Sequence, residues 1–115
     1  MEDCIFCKII KGEVPSKKVF ENENVLAFQD INPVAPIHIL VVPKKHIPTH
    51  QDIEKQDGDI LVDMHMAINQ IAKDFGVDEK GYRVINNCKE DGWQDVHHLH
   101  FHILAGKSLG PKIIE

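Results

Sequence analysis

His98-Leu99-His100-Phe101-His102-Ile103-Leu104 is a stretch in which histidine and apolar residues alternate until the closing apolar pair. Successive side chains of a β-strand point to opposite faces. A strand here therefore lines one surface with three imidazoles and sends Leu99, Phe101 and Ile103 into a core. Crowded imidazoles repel one another once more than one is protonated, so chance core packing does not account for the pattern. Two chemical readings remain: facing imidazoles that grip a metal, or an imidazole nucleophile with imidazole helpers. A neutral imidazole titrates near neutral pH and attacks phosphorus well, which favours His100 as nucleophile and sets His102 beside the leaving group. Such an attack leaves a phosphohistidine that water cleaves in a second step.

The surrounding chain supplies the elements that would carry this strand, which reads as running from about Val96 to Ala105. Cys4 to Ile10 forms a short helical turn stopped at Gly12. Val19 to Phe20 and Val25 to Phe28 read as two strands joined at Asn22, Glu23 and Asn24. Pro33 and Pro36 break the chain before the β-branched run His38 to Val42, which closes at Pro43. From Asp59 to Phe75, Ile60, Leu61, Met64, Ala67, Ile68, Ile71, Ala72 and Phe75 fall along one helical stripe that Gly76 ends. Tyr82 to Ile85 is a further strand, followed by a polar turn from Asn86 to Gly92. Antiparallel neighbours with one long helix between strands predict an α+β domain in which that helix covers a sheet face.

The 115 residues fit a single domain, residues 1–115, because a second core would leave each half too little apolar surface to bury. A net charge of −5 argues against a surface that holds long nucleic acid, while a small nucleotide needs only a few local donors. The N-terminus lacks the basic start and apolar run of a secretory signal, and no segment approaches the roughly 20 apolar residues that span a bilayer. A cytoplasmic protein is expected. Three cysteines, an odd number, suit metal binding or free thiols better than disulfides. His50 and His65 read as surface positions.

His98 to Leu104 matches at every position the signature of the histidine triad family, which the chain resembles over nearly its whole length. Phe28 to Ile31, Pro33, Ala35, Pro36, His38 and the run Pro43, Lys44, Lys45, His46 resemble its nucleoside-phosphoramidase branch, in the bacterial form. The resemblance implies a five-stranded antiparallel sheet with one long and one short N-terminal helix. It also implies a homodimer that joins two such sheets into ten strands. His100 would be the nucleophile, with His98, His102 and His38 completing the catalytic set. Asp30 would hold the ribose hydroxyls, Phe6, Ile9 and Ile31 would line the base pocket, and Asn87 would contact phosphate. The implied activity is hydrolysis of purine nucleoside phosphoramidates to the monophosphate, with no cofactor required for catalysis. Dinucleoside polyphosphate hydrolysis and a nucleotide-binding scaffold with little catalysis are the alternatives.

The chain departs from the family around Asp91, Gly92, Trp93, Gln94, Asp95 and Val96, a loop expected at the phosphate. Trp93 stands where a glycine is usual, and Asp95 where many relatives carry serine. A ring at position 93 would narrow the mouth or stack on a leaving group. His97 should point away from the catalytic face by strand parity. Cys4 and Cys7 form a Cys-x-x-Cys pair, and the resemblance to some bacterial relatives implies a structural zinc on Cys4, Cys7, His46 and His98. The alternative is that both cysteines are small buried apolar side chains. Cys88 reads as a free thiol.

Overall fold

The computed structural model describes residues 3–111 and residue 113. A short helix α1 (Ile5–Ile10) leads into strands β1 (Lys18–Glu21), β2 (Val25–Gln29) and β3 (Ile37–Pro43). The long helix α2 (Gly58–Asp74) follows, then β4 (Arg83–Ile85) and β5 (Phe101–Ala105). All pairings are antiparallel, and the sheet order is β1-β2-β3-β5-β4. The α+β class and five-stranded sheet are as the sequence predicts.

Strand parity sorts the side chains into two cores. Val25, Ala27, Ile39, Val41, Phe101 and Ile103 meet Met64, Ala67, Ile68 and Ile71 of α2. Leu26, Phe28, Leu40 and Val42 point to the other face and meet Phe6 and Ile9 of α1. Each large apolar side chain fully buried here stabilises the fold by about 1.5–3 kcal/mol. Because α1 has only six residues, it covers part of its face. His38 and His102 stand on what remains: Leu40 pairs with His102 and His38 with Leu104, which makes the two histidines diagonal neighbours across the β3–β5 ladder.

The last strand starts later than the alternation suggests. Its ladder with β3 begins at Phe101, opposite Val41, and residues 96–100 are not paired in the sheet. Pro43 has no N–H to continue the ladder. Instead Leu99 N–H donates to the Ile47 carbonyl at 2.6 Å, so the approach to β5 follows the loop beyond β3. Leu99 is buried in the core all the same. Ahead of α2, Lys45 Nζ lies 2.6 Å from the buried Asp57 carboxylate, tying that loop to the start of the helix. Gly76, at φ +70°, ends α2 in the left-handed conformation that glycine adopts without steric cost. Among the described residues, no helix is long and apolar enough to cross a membrane.

Candidate functional site

The four sequence-predicted histidines divide into two clusters that share a backbone link. His100 is 1% exposed, and its Nδ1–H donates to the carbonyl of His98 at 2.7 Å. That bond fixes the tautomer and leaves a lone pair on Nε2. Phe6 meets the His100 ring edge-on at a centroid distance of 5.1 Å, and the Asn86 side-chain amide donates to the His100 carbonyl at 2.9 Å. The predicted nucleophile is thus held by its own backbone, the neighbouring loop and α1.

The second imidazole is oriented by a chain of donors. Val34 N–H donates to His38 Nδ1 at 3.2 Å, so His38 carries its proton on Nε2. That Nε2–H donates to His102 Nδ1 at 2.9 Å, which leaves the His102 proton on Nε2. His102 Nε2 is buried and has no partner among the described residues, as befits a donor directed at a ligand. Asp30 Oδ2 lies 3.4 Å from His38 Nε2, while Asp30 Oδ1 accepts from Asn32 N–H at 2.8 Å, an Asx turn that sets the carboxylate beside the pair. The His100 and His102 ring centroids are 5.1 Å apart.

Burial pushes the pKa of His102 down to about 4, with the neighbouring His100 and His38 adding to the effect. An unfolded histidine titrates near 6.5, so between about pH 6.5 and pH 4 the unfolded chain takes up a proton that the folded chain refuses. The stability this group contributes is complete above that window and is lost as pH falls through it. Urea midpoints measured in steps from pH 7.5 to 5 should therefore fall steadily. A midpoint that stays flat would contradict the buried neutral ring.

His98 departs from the catalytic placement expected of it. It is fully buried, its Nε2–H donates to the Pro43 carbonyl at 2.8 Å, and its Nδ1 faces two cysteines and a histidine. Its Nδ1 is 3.3 Å from Cys4 Sγ, 3.5 Å from Cys7 Sγ and 3.1 Å from His46 Nδ1, and Cys7 Sγ is 3.3 Å from His46 Nδ1. Tetrahedral bonds of about 2.3 Å to sulfur and 2.0–2.1 Å to nitrogen give S–N and N–N edges of roughly 3.6 and 3.3 Å. All four donor atoms lie within 4.8 Å of one another, so this set fits a tetrahedral metal ion. The outer bond to Pro43 fixes the His98 ring as metal-ligating histidines require. Burial, with Cys4 alongside, raises the Cys7 thiol to about 11, a preference for the neutral form that a cation in the set would reverse.

Other predicted residues take different places. Ile31 is 90% exposed on the loop after β2, just beyond the tight turn at Asp30. Phe6 and Ile9 are core residues, and Phe6 also meets the His98 and His100 rings edge-on. Gln94 braces its own loop: its Oε1 accepts from Lys89 N–H at 2.9 Å, and its Nε2 donates to the Pro48 and Val96 carbonyls at 2.7 and 2.9 Å. Both amide hydrogens are thereby taken up by backbone. Asp95 is exposed and places Oδ1 3.5 Å from His100 Nε2. Asn87 is half-buried in the turn. Trp93 is 86% exposed and sits at φ 59°, an uncommon conformation for a bulky side chain. A Cβ on Gly92 would lie 2.6 Å from the Cys88 carbonyl oxygen, so the loop closes this tightly only with glycine there. His50, His65 and His97 are exposed.

Sequence reasoning missed Asn86 and the Val34 amide, because both act through backbone bonds that form only when the loops close.

Residues 11–109 match the HIT domain family model. The chain belongs to the HIT family. By that kinship it is a hydrolase. A relative, the purine nucleoside phosphoramidase of Escherichia coli (strain K12), is 43% identical over 112 residues, covering 97% of this chain and 94% of that protein. A histidine triad protein from Clostridium difficile shares the fold with a TM-score of 0.94 at 59% identity, covering 97% of both chains. The HIT family hydrolase Cth-393 from Clostridium thermocellum superposes with a TM-score of 0.96 at 50% identity, covering 99% of both.

Proposed function

We propose that this HIT domain, residues 1–115, hydrolyses purine nucleoside phosphoramidates at the α-phosphorus through a nucleotidyl-His100 intermediate. The observation that carries the reading is the pairing of tautomers: His100 presents a lone pair on Nε2, and His102 presents an N–H from a buried, unpartnered Nε2. The relative named as a phosphoramidase supports the substrate class.

In the first step His100 Nε2 attacks phosphorus, the N–P bond forms, and the bond to the leaving amine breaks. The bound phosphoryl anion favours one added proton on the hydrogen-bonded His38–His102 pair while substrate is present. The His102 Nε2 proton then passes to the leaving amine as the proton shared with His38 moves onto His102 Nδ1, so the pair ends neutral with a lone pair on His102 Nε2. In the second step water attacks phosphorus, His102 Nε2 takes the water proton, and the His100–phosphorus bond breaks to release the monophosphate. Asp30, beside His38, is the candidate for the ribose hydroxyls, and Asn87 for a phosphate oxygen. The test is a rapid quench during turnover followed by mass spectrometry of the peptides. A nucleotide adduct on His100 supports the mechanism, and an adduct on any other residue overturns it.

Trp93 favours a second reading, cleavage of dinucleoside polyphosphates, since an exposed indole beside the Asp95 loop offers a face for a second base. Stacking of a base on an aromatic side chain is worth about 1–3 kcal/mol. Trp93→Gly should therefore lower kcat/KM on a diadenosine polyphosphate by roughly tenfold or more and leave a simple phosphoramidate unaffected. Trp93 is the only tryptophan, so its fluorescence also reports stacking directly. A variant that turns over the diadenosine polyphosphate as fast as the wild type would remove this reading.

The Cys4, Cys7, His46 and His98 set is the proposed zinc site, because thiolate and imidazole donors in a closed tetrahedron suit a structural zinc. A homodimer is proposed through the exposed Val62 and Met66 of α2 and the outer edge of β4, where Val84 is also exposed. Pairing two β4 edges about a dyad would give a continuous ten-stranded sheet. A reducing, cytoplasmic setting suits these free thiols.

A further inference from the structure

We infer that Cys4 and Cys7 are a peroxide-sensitive thiol pair whose oxidation to a disulfide dismantles the Cys2His2 set and, through His98, disables His100. The inference rests on the catalytic reading above. Three observations carry it, and the first is proximity. The two sulfurs lie within 4.8 Å of each other, three residues apart at the start of α1, the spacing used by thiol–disulfide exchange motifs. Cys7 N–H already donates to Cys4 Sγ at 3.3 Å, so one turn of chain holds both sulfurs together.

The second observation is access. Cys4 is half-buried and lines an open cavity of about 430 Å³ together with His46, Asp95 and Val96, whereas Cys7 is buried behind it. A small oxidant reaches Cys4 first, and Cys7 stands ready to resolve the product. The third is the link to the site. His98 is one residue with two tasks: its ring belongs to the Cys2His2 set, and its carbonyl accepts the proton that fixes the His100 tautomer. Once the two sulfurs bond to each other, neither remains a ligand, and the His98 ring loses both thiolate neighbours while keeping its bond to Pro43, its 3.1 Å contact with His46 Nδ1 and its packing against Phe6.

The chemistry balances with a hydroperoxide as two-electron oxidant. Cys4 thiolate attacks a peroxide oxygen, the S–O bond of a sulfenic acid forms as the O–O bond breaks, and the departing hydroxide or alkoxide takes a proton to become water or an alcohol. Cys7 thiolate then attacks Cys4 sulfur, the S–S bond forms, the S–O bond breaks, and a second hydroxide leaves as water. Two thiolates are oxidised, one peroxide is reduced, and the divalent cation they held is released. A dithiol reductant with added metal restores the set.

The test uses metal-loaded, full-length protein treated with excess hydrogen peroxide. The expected result is a tryptic peptide spanning Cys4 and Cys7 that is lighter by a pair of hydrogens, together with metal released to a chromophoric chelator. In parallel kcat falls by about tenfold or more while KM holds within about twofold, the signature of a misplaced nucleophile in an otherwise intact pocket. The His100 Nδ1–H proton resonance should broaden or shift, which loss of fold stability alone does not cause at temperatures well below Tm. Dithiothreitol and zinc should reverse all of these changes. Cys88→Ser, which removes the thiol outside the set, should switch as the wild type does, and Cys4→Ser should keep whatever activity it has when peroxide is added. Thiols and metal that survive peroxide overturn the inference, as does a disulfide that leaves kcat unchanged. Absence of phosphoramidate turnover before oxidation overturns the catalytic reading instead, while the mass and metal measurements still decide the thiol pair.

Discussion

Replacing His100 by alanine is expected to lower kcat on a purine nucleoside phosphoramidate by roughly four orders of magnitude, because no other group can form the covalent intermediate. His38 and His102 are committed to each other through the 2.9 Å bond, and His98 points into the cysteine set, so none of them can replace the lost Nε2. Binding should change little, and a nucleoside monophosphate should bind within a few-fold of its wild-type affinity. The alanine variant also leaves a cavity and removes the donor to the buried His98 carbonyl, a loss of about 1–3 kcal/mol of stability. His100→Asn fills more of that space and separates the two effects. If the asparagine variant melts near the wild type and still shows no burst of product in single-turnover kinetics, the loss is chemical. Turnover within tenfold of wild type in either variant would falsify the assignment.

Removing the metal should give the second large effect, this time on stability. If the Cys2His2 set holds its ion at 100 to 1,000 times the dissociation constant, chelation withdraws about 3–4 kcal/mol, and Tm falls by on the order of 10–20 °C for a chain of this length. The domain keeps its two cores and so should remain folded at room temperature, unlike a zinc finger. Cys7→Ser should reproduce the fall and show no further change with chelator. Because the Cys7 thiol must lose its proton to bind, the metal should be held less tightly as pH falls. The measurement is a pair of thermal melts with and without a strong chelator, alongside metal content. A Tm unaffected by chelation in protein shown to contain metal would mean the set contributes nothing to the fold.

The alternation from His98 to Leu104 was readable as chemistry on one face and core on the other, and Leu99, Phe101 and Ile103 are buried as that parity requires. The stripe from Ile60 to Phe75 announced α2 to within a residue or so at each end. Period-based reading could not tell that the sheet ladder stops at Phe101, since that depends on Pro43 in a strand more than 50 residues away. Nor could it separate His98 from His100. Parity puts both on one face, whereas the turn of the backbone at Leu99 toward Ile47 sends one ring to the cysteines and leaves the other to the nucleotide side. Resemblance assigns Ile31 and Gln94 to substrate; the structure leaves Ile31 exposed after an Asx turn and bonds the Gln94 amide to loop backbone. Loop hydrogen bonds of this kind have no sequence period.

By itself the sequence determined which residue types can do chemistry here, which faces of the strands and helix are apolar, and hence the α+β class. These follow from local periodicity, because side-chain direction repeats along a strand or helix whatever surrounds it. Only the tertiary structure decided which nitrogens of His38, His98, His100 and His102 carry the proton, that Cys4 and Cys7 meet His98 across more than 90 residues, and that the His98 carbonyl joins the Cys2His2 set to His100. Protonation sites and ligand sets depend on distances of about 3 Å between groups remote in the chain, and only packing brings such groups together.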